Sequence, residues 1–536
     1  MVTTQHIASD VGRDILQQGG NAIDAAVATA FALAVVHPAA GNIGGGGFLV
    51  YHGADGEVTA FNFREKAPAA AHADMFLDEN GELDEDKHHR ALTSTGVPGT
   101  VAGLALAHER LGSLPWADLV APAIKLAENG FPFTRNLSGT WTRFQTNAGR
   151  DDIYKSTAKA FLKDGTDLYE HGELLTQKDL AETLRRIRDG GADGFYRGET
   201  AKLMADFMRK FGGLITEDDM AAYEADEQAP IHGTYRGYDI YSMSPPSSGG
   251  IAIVTMLNIL EGYDLTAMGH NSALYLHVIT EAMRRAFADR AQFVGDPKFN
   301  PDMPVEWLTS KEHADELRST IDLYKASESD ENAFNGSQPY ESEETTHFSV
   351  SDADGNTVSM TYTLEFGYGN SIVVEGAGFL LNNEMGDFNP MPGITDREGH
   401  IGTKPNLVVP GKRMLSSMTP AIVAQNGKPV MAIGSPGGRT IINTSLQVIL
   451  NVIDHDMNIA QAIEAPRMHH QWLPDLSYFE RGYFSADTQR MYEMMGHEVA
   501  FRGGQGSAMG IWINWENGFK YGASDSRSYN GSASGY

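Results

Sequence analysis

A polar, acidic segment interrupts the chain and is followed at once by a strand pattern. Residues 326–344 read ASESDENAFNGSQPYESEE, with two large apolar side chains among them. A segment of this kind buries too little apolar surface to fold alone, so we predict a linker. After it, residues 345–350 alternate with period two, residues 354–356 supply an Asp-Gly-Asn turn, and residues 358–364 alternate again. This pattern predicts a β-hairpin that begins where the linker ends.

Charge and hydropathy exclude several classes of protein. The 536 residues include 70 acidic and 41 basic side chains, for a net charge of −29. Such a surface repels a polyanion, so we expect no nucleic-acid partner. The longest nearly apolar run, residues 25–36, falls short of the roughly 20 residues that span a bilayer. We therefore expect no transmembrane helix.

Cysteine is absent, which excludes disulfides, thiolate metal sites and a cysteine nucleophile. Adjacent histidines at 469 and 470 suggest a metal site at first sight. Neighbouring side chains project in different directions, however, and no third ligand is suitably spaced. We expect neither a metal nor a cofactor.

Two patterns near the start of the chain predict local structure. An amphipathic to fully apolar pattern that begins near Gly20-Asn21 and runs to Val36 predicts a helix, with Asn21 as its N-cap and His37-Pro38 as its stop. Glycines then cluster at 44–47. Neither a Lys-Ser/Thr pair nor a helix follows, so a phosphate-binding loop is disfavoured and close backbone packing is the better interpretation.

A threonine at the head of a strand, directly after a linker, would become a candidate nucleophile if the chain were cut before it. Cutting the bond between Glu344 and Thr345 would give Thr345 a free α-amine beside its own hydroxyl. The amine has an ordinary pKa of about 7.7 to 8.0, so near neutral pH it is able to act as the general base for that hydroxyl. Without further context, a Thr-Thr pair at this position indicates only β-propensity.

The context is a set of motifs in a characteristic order. They are NIGGGGF (42–48), FREKAP (63–68), TTHFSV (345–350), LLNNEMGDF (380–388), MLSSMTP (414–420), GSPGG (434–438) and YGASDSR (521–527). With these motifs, the chain resembles the gamma-glutamyltranspeptidases, a family of N-terminal-nucleophile hydrolases that cut themselves into two subunits. The resemblance extends over the whole chain.

The resemblance implies a role for particular residues. Thr345 is the nucleophile, first on its own preceding carbonyl and later on the substrate, and Thr363 hydrogen-bonds it. The N–H groups of Gly437 and Gly438 form the oxyanion hole. Arg64, Ser416 and Ser417 bind the substrate's α-carboxylate. Glu384 and Asp387 hold its α-ammonium, and Glu365 lies near the same ammonium.

Two departures within this pattern concern specificity. Glu365 stands where some relatives carry asparagine, which adds a third carboxylate near the ammonium and is expected to raise one pKa. Between Phe388 and Ser416, where some relatives have a lid over the site, no Tyr, Phe or Trp occurs. We hypothesise looser access for acceptors.

The expected fold is an α/β, four-layer αββα sandwich. Residues 1–344 would form a large subunit and residues 345–536 a small subunit, associated as one folded unit. The expected activity is transfer of a γ-glutamyl group from glutathione or another γ-glutamyl compound, through an ester on Thr345, to water, an amino acid or a peptide.

Three alternatives remain open at this stage. Two of them are enzymes on the same scaffold: a glutaryl-type cephalosporin acylase and a poly-γ-glutamate processing enzyme. The third alternative, from another class of protein, is an unprocessed, inactive binding protein. The family resemblance suggests a periplasmic or secreted protein, although the first residues, MVTTQH, lack the features of a signal peptide.

Overall fold

The structure, a computed structural model, describes residues 1–330, 345–397 and 401–536. Most of the predicted linker, including Glu344, lies outside the described residues. The strands are β1 (Val2–Thr3), β2 (Gly46–His52), β3 (Val58–Asn62), β4 (Phe131–Pro132), β5 (Leu174–Leu175), β6 (Asp226–Gln228), β7 (Ile231–Tyr235), β8 (Tyr238–Ser242), β9 (Thr346–Ser351), β10 (Thr357–Thr363), β11 (Ala421–Gln425), β12 (Lys428–Gly434), β13 (Met468–His469), β14 (Ser477–Glu480), β15 (Val499–Arg502), β16 (Met509–Ile513), β17 (Lys520–Ser524) and β18 (Ser532–Ala533).

Helices occupy much of the chain between these strands, in part as runs of consecutive helices. They are α1 (His6–Gln17), α2 (Ala22–Val36), α3 (Glu85–His89), α4 (Thr100–Leu111), α5 (Trp116–Asn129), α6 (Arg135–Ala148), α7 (Lys155–Phe161), α8 (Lys178–Gly190), α9 (Asp193–Tyr196), α10 (Gly198–Phe211), α11 (Glu217–Ala221), α12 (Gly249–Leu260), α13 (Leu265–Met268), α14 (Ala273–Phe293), α15 (Val305–Leu308), α16 (Lys311–Ser319), α17 (Thr440–Ile453), α18 (Ile459–Glu464) and α19 (Ala486–Met494). No helix in the described ranges combines the length and apolarity needed to cross a membrane.

Two large sheets form the middle of the molecule. One has the strand order β18-β1-β9-β10-β2-β3-β6, and the other has the order β17-β16-β12-β11-β8-β7. Both sheets combine strands from before and after the linker. The two parts of the chain therefore cannot separate without breaking backbone hydrogen bonds within a sheet.

Three apolar clusters define the layers. Phe48, Ile422 and Ile441 belong to a cluster between the sheets. A second cluster, which includes Phe31 of α2, joins helices to the first sheet. A third, which includes Leu257 of α12, joins helices to the second sheet. This order of helices, sheet, sheet and helices confirms the predicted αββα sandwich.

Helix α2 forms as its sequence predicts. The Asn21 side chain accepts from the N–H groups of Ile23 and Asp24, and Asp24 completes a capping box. Every residue of α2 is buried, which explains why the run is apolar on all sides.

The glycine cluster packs against backbone, as predicted. A Cβ at Gly45 would collide with the carbonyl oxygen of Thr363, and one at Gly47 with that of Thr361. The glycines therefore let β2 approach β10 closely, next to the head of β9.

Candidate active site

The predicted hairpin places two threonine hydroxyls side by side. Strands β9 and β10 pair in antiparallel register with Thr346 opposite Tyr362, so Thr345 lies across from Thr363 at the open end. The Thr345 hydroxyl donates to Oγ of Thr363 at 3.4 Å. Thr345 is 7% exposed, so its hydroxyl faces a largely enclosed space.

Backbone and amide groups hold Thr363 in place. Its Oγ accepts from the Glu365 N–H at 2.9 Å, and its carbonyl accepts from the Asn42 side chain at 2.8 Å. The oxygen of the Asn42 amide accepts in turn from the Gly45 N–H. Asn42 is therefore a positioning residue that the sequence analysis missed. The available signal was the asparagine that opens the NIGGGGF motif, two residues before the glycine run.

One pocket collects most of the predicted site residues. It is lined by Arg64, Thr345, Thr363, Glu365, Glu384, Asp387, Ser416, Ser417, Met418, Gly438 and Ile441. Among the predicted residues, Gly437 lies one residue away from the lining and Glu344 lies outside the described residues. The pocket thus unites a hydroxyl pair with a cluster of charges.

Arg64 is the centre of the charged part. It is completely buried, and its two terminal nitrogens donate to Glu384 and Asp387. It also donates to the carbonyl of Leu415 at 3.0 Å, next to the serine pair. Burial lowers the pKa of Arg64, but Glu384, Asp387 and Glu65 outweigh it and hold the pKa above the ordinary arginine value.

Glu65 is a fourth carboxyl group that the sequence analysis did not assign. Its nearer oxygen lies 3.6 Å from Arg64, and neither oxygen has a hydrogen-bond partner in the described part of the chain. Complete burial outweighs the attraction of Arg64 and raises the pKa of Glu65 to about 7. The charged Arg-Glu pair within the FREKAP motif was the available signal.

The remaining carboxylates repel one another. The pKa of Glu384 lies well above its ordinary value, mainly because the group is buried. Arg64 lowers this pKa, whereas the negative charges of Glu65 and Glu365 raise it further. Glu365, two residues beyond the end of β10, has a φ of +76°, a strained value for a side-chain-bearing residue. Its carboxylate lies 3.2 Å from Nδ1 of His89. His89 is a further neighbour that the sequence did not reveal.

The serine pair is held from both sides. The carbonyl of Ser416 accepts from the N–H and the hydroxyl of Ser248, and its own Oγ accepts from the Met418 N–H. Ser417 Oγ accepts from Arg290 at 2.9 Å. Both serines line the pocket together with Arg64.

The predicted oxyanion hole coincides with the start of helix α17. Gly438 lines the pocket, and Gly437 has a φ of +133°, which favours glycine. Neither N–H group donates a backbone hydrogen bond within the described ranges. Since a helix N-terminus carries partial positive charge, this end of α17 suits a developing oxyanion.

The segment between Asp387 and Ser416 is tied to both neighbouring loops. The Asn406 side chain donates to the carbonyl of Asp387 at 2.7 Å and accepts from the N–H of Leu415 at 2.9 Å. Asn406 therefore fixes the acidic loop relative to the serine loop. The predicted effect of the missing aromatic residue on acceptor access stays a prediction.

The adjacent histidines make hydrogen bonds within the protein. His469 contacts Asn443 through Nδ1 and Gln471 through Nε2. His470 contacts Asp475 through Nε2, and its Nδ1 accepts from the Trp472 N–H. All four ring nitrogens have hydrogen-bond partners, which explains how the pair is buried.

An αββα sandwich with a threonine at the head of a central strand defines the class of N-terminal-nucleophile hydrolases. The family model described as gamma-glutamyltranspeptidase matches residues 8–535. The glutathione hydrolase proenzyme of Escherichia coli (strain K12) is 46% identical over 529 residues, covering 99% of this chain and 90% of that protein. This chain therefore belongs to the gamma-glutamyltranspeptidase family of enzymes, which confirms the predicted family and class.

Solved structures agree with this assignment. The crystal structure of Helicobacter pylori gamma-glutamyltranspeptidase is 45% identical, covers 60% of this chain and 91% of that chain, and has a TM-score of 0.58. The crystal structure of a cephalosporin acylase from Bacillus halodurans has a TM-score of 0.86 at 28% identity, and covers 100% of this chain and 95% of that chain. The scaffold is thus shared by proteins named a gamma-glutamyltranspeptidase and a cephalosporin acylase.

Proposed function

We propose that this protein is a gamma-glutamyltransferase and glutathione hydrolase that uses Thr345 as its nucleophile. The observation that supports this most strongly is the composition of the pocket. A γ-glutamyl group carries a carboxylate and an ammonium at one end and the reacting carbonyl at the other. Arg64, Glu384 and Asp387 provide opposite charges for the first end, and the hydroxyl pair provides the chemistry for the second.

The first reaction is cleavage of the precursor before Thr345. Oγ of Thr345 attacks the carbonyl carbon of Glu344, the C–N bond breaks, and an ester replaces the amide while the nitrogen becomes an amine. Water then hydrolyses the ester, which releases the carboxylate of Glu344 and restores the hydroxyl. The products are a large subunit of residues 1–344 and a small subunit of residues 345–536, which stay together because both sheets need both parts.

The second reaction uses the amine that cleavage created. The α-amine of Thr345 takes the hydroxyl proton as Oγ attacks the γ-carbonyl of the substrate. The N–H groups of Gly437 and Gly438 stabilise the oxyanion. The leaving amine departs with the proton, and a γ-glutamyl ester remains on Thr345. Water, or the amine of an amino acid or peptide, then attacks this ester and frees the hydroxyl.

The rival activity is removal of a glutaryl group, suggested by the similarity to a cephalosporin acylase. A glutaryl group has the terminal carboxylate but lacks the ammonium. Glu365, Glu384 and Asp387 would then be buried without a cation from the substrate, which is costly. The acidic cluster therefore favours a γ-glutamyl donor.

Family membership also supports a proposal about the compartment. We propose a periplasmic or secreted protein, where extracellular γ-glutamyl compounds are the donors. Export of the natural protein into culture medium or periplasmic extract, with the cytoplasmic fraction as the control, tests this assignment.

The decisive experiment compares the intact mass, the new N-terminus and the activity of three proteins. The unmodified protein should yield fragments of about 37 and 21 kDa, in proportion to the 344 and 192 residues of the 58.2 kDa chain. Thr345→Ala should remain one chain without activity, and Thr345→Ser should still be cut because it keeps a hydroxyl. A single uncut, inactive chain in all three would support the inactive binding protein instead.

Substrate choice separates the two enzymatic activities. We expect turnover of a γ-glutamyl anilide and at least about 100-fold lower kcat/KM with a glutaryl anilide, because a buried site rejects a ligand that leaves its polar groups unpaired. Equal kcat/KM values for both anilides would favour the acylase.

A further inference from the structure

A second buried arginine lies behind the serine pair. Arg290, on helix α14, is 2% exposed and does not line the pocket. Its Nη2 donates to Oγ of Ser417 at 2.9 Å, and its Nε donates to Oγ of Ser248 at 2.8 Å. One guanidinium therefore contacts a pocket serine directly and reaches the other pocket serine through Ser248.

These hydrogen bonds dictate where the hydroxyl protons point. A guanidinium only donates, so both serine oxygens accept from Arg290 and their own protons must point elsewhere. The Ser248 proton goes to the carbonyl of Ser416 at 2.7 Å. This bond and the one from the Ser248 N–H at 2.8 Å fix the Ser416 peptide. By the same reasoning, the Ser417 proton does not point toward Arg290.

We propose that Arg290 is a positioning residue that makes the serine pair a selective receptor for the α-carboxylate of the donor. By accepting from Arg290, Ser417 presents its hydroxyl as a donor rather than an acceptor, which suits a carboxylate. Through Ser248, Arg290 also fixes the backbone of Ser416. The inference rests on the proposed function, because it assigns the serine pair to the α-carboxylate of a γ-glutamyl group.

The geometry of arginine matters for this role. Nε and Nη2 belong to one rigid plane and reach two hydroxyls on different segments, Ser248 at the start of α12 and Ser417 before β11. A lysine ammonium at the same place has no second nitrogen to span them. Lysine should therefore replace Arg290 only in part.

The test compares donors with and without the α-carboxylate. Arg290→Gln is assayed with a γ-glutamyl anilide and with a 4-aminobutanoyl anilide, which keeps the amine and lacks the carboxylate. We expect kcat/KM for the γ-glutamyl anilide to fall about tenfold or more, mainly through KM, because a hydrogen bond to a charged group is weakened. With the 4-aminobutanoyl anilide, we expect a change of less than about twofold.

Matched variants separate positioning from stability. Arg284→Gln removes another buried arginine from helix α14, whose contacts are Glu281, Ser329 and Asp475, away from the pocket. It should leave the ratio of kcat/KM for the two donors unchanged. Arg290→Lys should give an intermediate ratio. Concentrations of processed enzyme are set from the amount of small subunit, so that incomplete folding or cleavage does not alter the ratio.

Two results would overturn the inference. One is an equal loss on both donors in Arg290→Gln, which would indicate a structural role only. The other is an unchanged KM for the γ-glutamyl anilide in a folded, processed variant. Failure of the proposed function is distinguishable, because the unmodified protein would then not turn over the γ-glutamyl anilide at all.

Discussion

The two ends of the pocket are built by different means. At the nucleophile end, neutral groups from adjacent strands set the geometry: Thr345 and Thr363 face each other because β9 and β10 pair in a fixed register. At the substrate end, Arg64 meets Glu384 and Asp387 from loops more than 300 residues away in sequence. Their positions depend on mutual charge compensation.

This difference predicts different sensitivities. A β-ladder holds its register with many backbone hydrogen bonds, so a single side-chain change at the nucleophile end should alter rate more than stability. A buried charge cluster loses its compensation when one member is removed, so a change at the substrate end should alter both. Variants at the two ends test this difference.

The largest combined effect is expected for Arg64→Ala. Glu65, Glu384 and Asp387 would lose their buried cation, so the free energy of unfolding should fall by about 3–5 kcal/mol. Activity on a γ-glutamyl anilide should be lost. Chemical denaturation and steady-state kinetics measure the two effects, and Arg64→Lys should restore more stability than activity, because it keeps the charge but loses the planar fork.

Arg413→Ala serves as the matched control for Arg64. Arg413 is also buried, and it donates to the Arg64 carbonyl and to Asp226, outside the pocket. We expect it to lower stability while KM changes less than in Arg64→Ala. An unchanged stability of Arg64→Ala would show that the charges at this end do not compensate one another.

At the nucleophile end, Gly437→Ala should act mainly on rate. A Cβ there would collide with Oγ of Thr440 at the start of α17, and the φ of +133° is strained for alanine. Displacing an oxyanion donor typically costs about 10²- to 10³-fold in kcat. Kinetics on processed enzyme measure this loss, with KM expected to change little.

Gly427→Ala is the control for the backbone strain alone. Gly427 has a φ of +73° in the turn between β11 and β12, and a Cβ added there would meet open space. It should lower stability by about 1 kcal/mol and leave kcat unchanged. Equal losses of kcat in the two variants would show that Gly437 is not part of the oxyanion hole.

The same contrast explains what the sequence was able to predict. Period-two alternation around an Asp-Gly-Asn turn predicts the hairpin and hence the Thr345–Thr363 pair. An apolar run with Asn21 before it predicts α2. Such local patterns depend on neighbours in sequence. The αββα order followed from the family resemblance, because local patterns do not specify how two sheets stack.

At the substrate end, the only residues predicted from the sequence were those that lie in a family motif and have a role there. Several residues that support the site were not predicted, because most act through partners far away in the chain and no local periodicity marks them: Glu65, His89, Asn42, Asn406 and Arg290. Hydrogen-bond networks of this kind become visible only when the loops are assembled. Glu365 was predicted, but its positive φ was not, because that strain depends on the chain leaving β10 toward the pocket.

The smallest effect expected for a residue of the site belongs to Glu65 and depends on pH. Its pKa of about 7 in the folded protein exceeds the ordinary glutamate value of 4.5, chiefly because of burial. Folding therefore favours the protonated form, and its contribution to stability is present below about pH 4.5 and is lost as pH rises through 7. The free energy of unfolding should fall between pH 5 and pH 8 in both proteins. The fall should be about 2 kcal/mol smaller in Glu65→Gln than in the unmodified protein, because glutamine does not titrate. Chemical denaturation across this range measures the difference, with Glu82→Gln on the surface as the control. Parallel stability curves for the unmodified protein and Glu65→Gln would mean that Arg64 keeps Glu65 ionised, and that the charges at the substrate end are more fully compensated than burial implies.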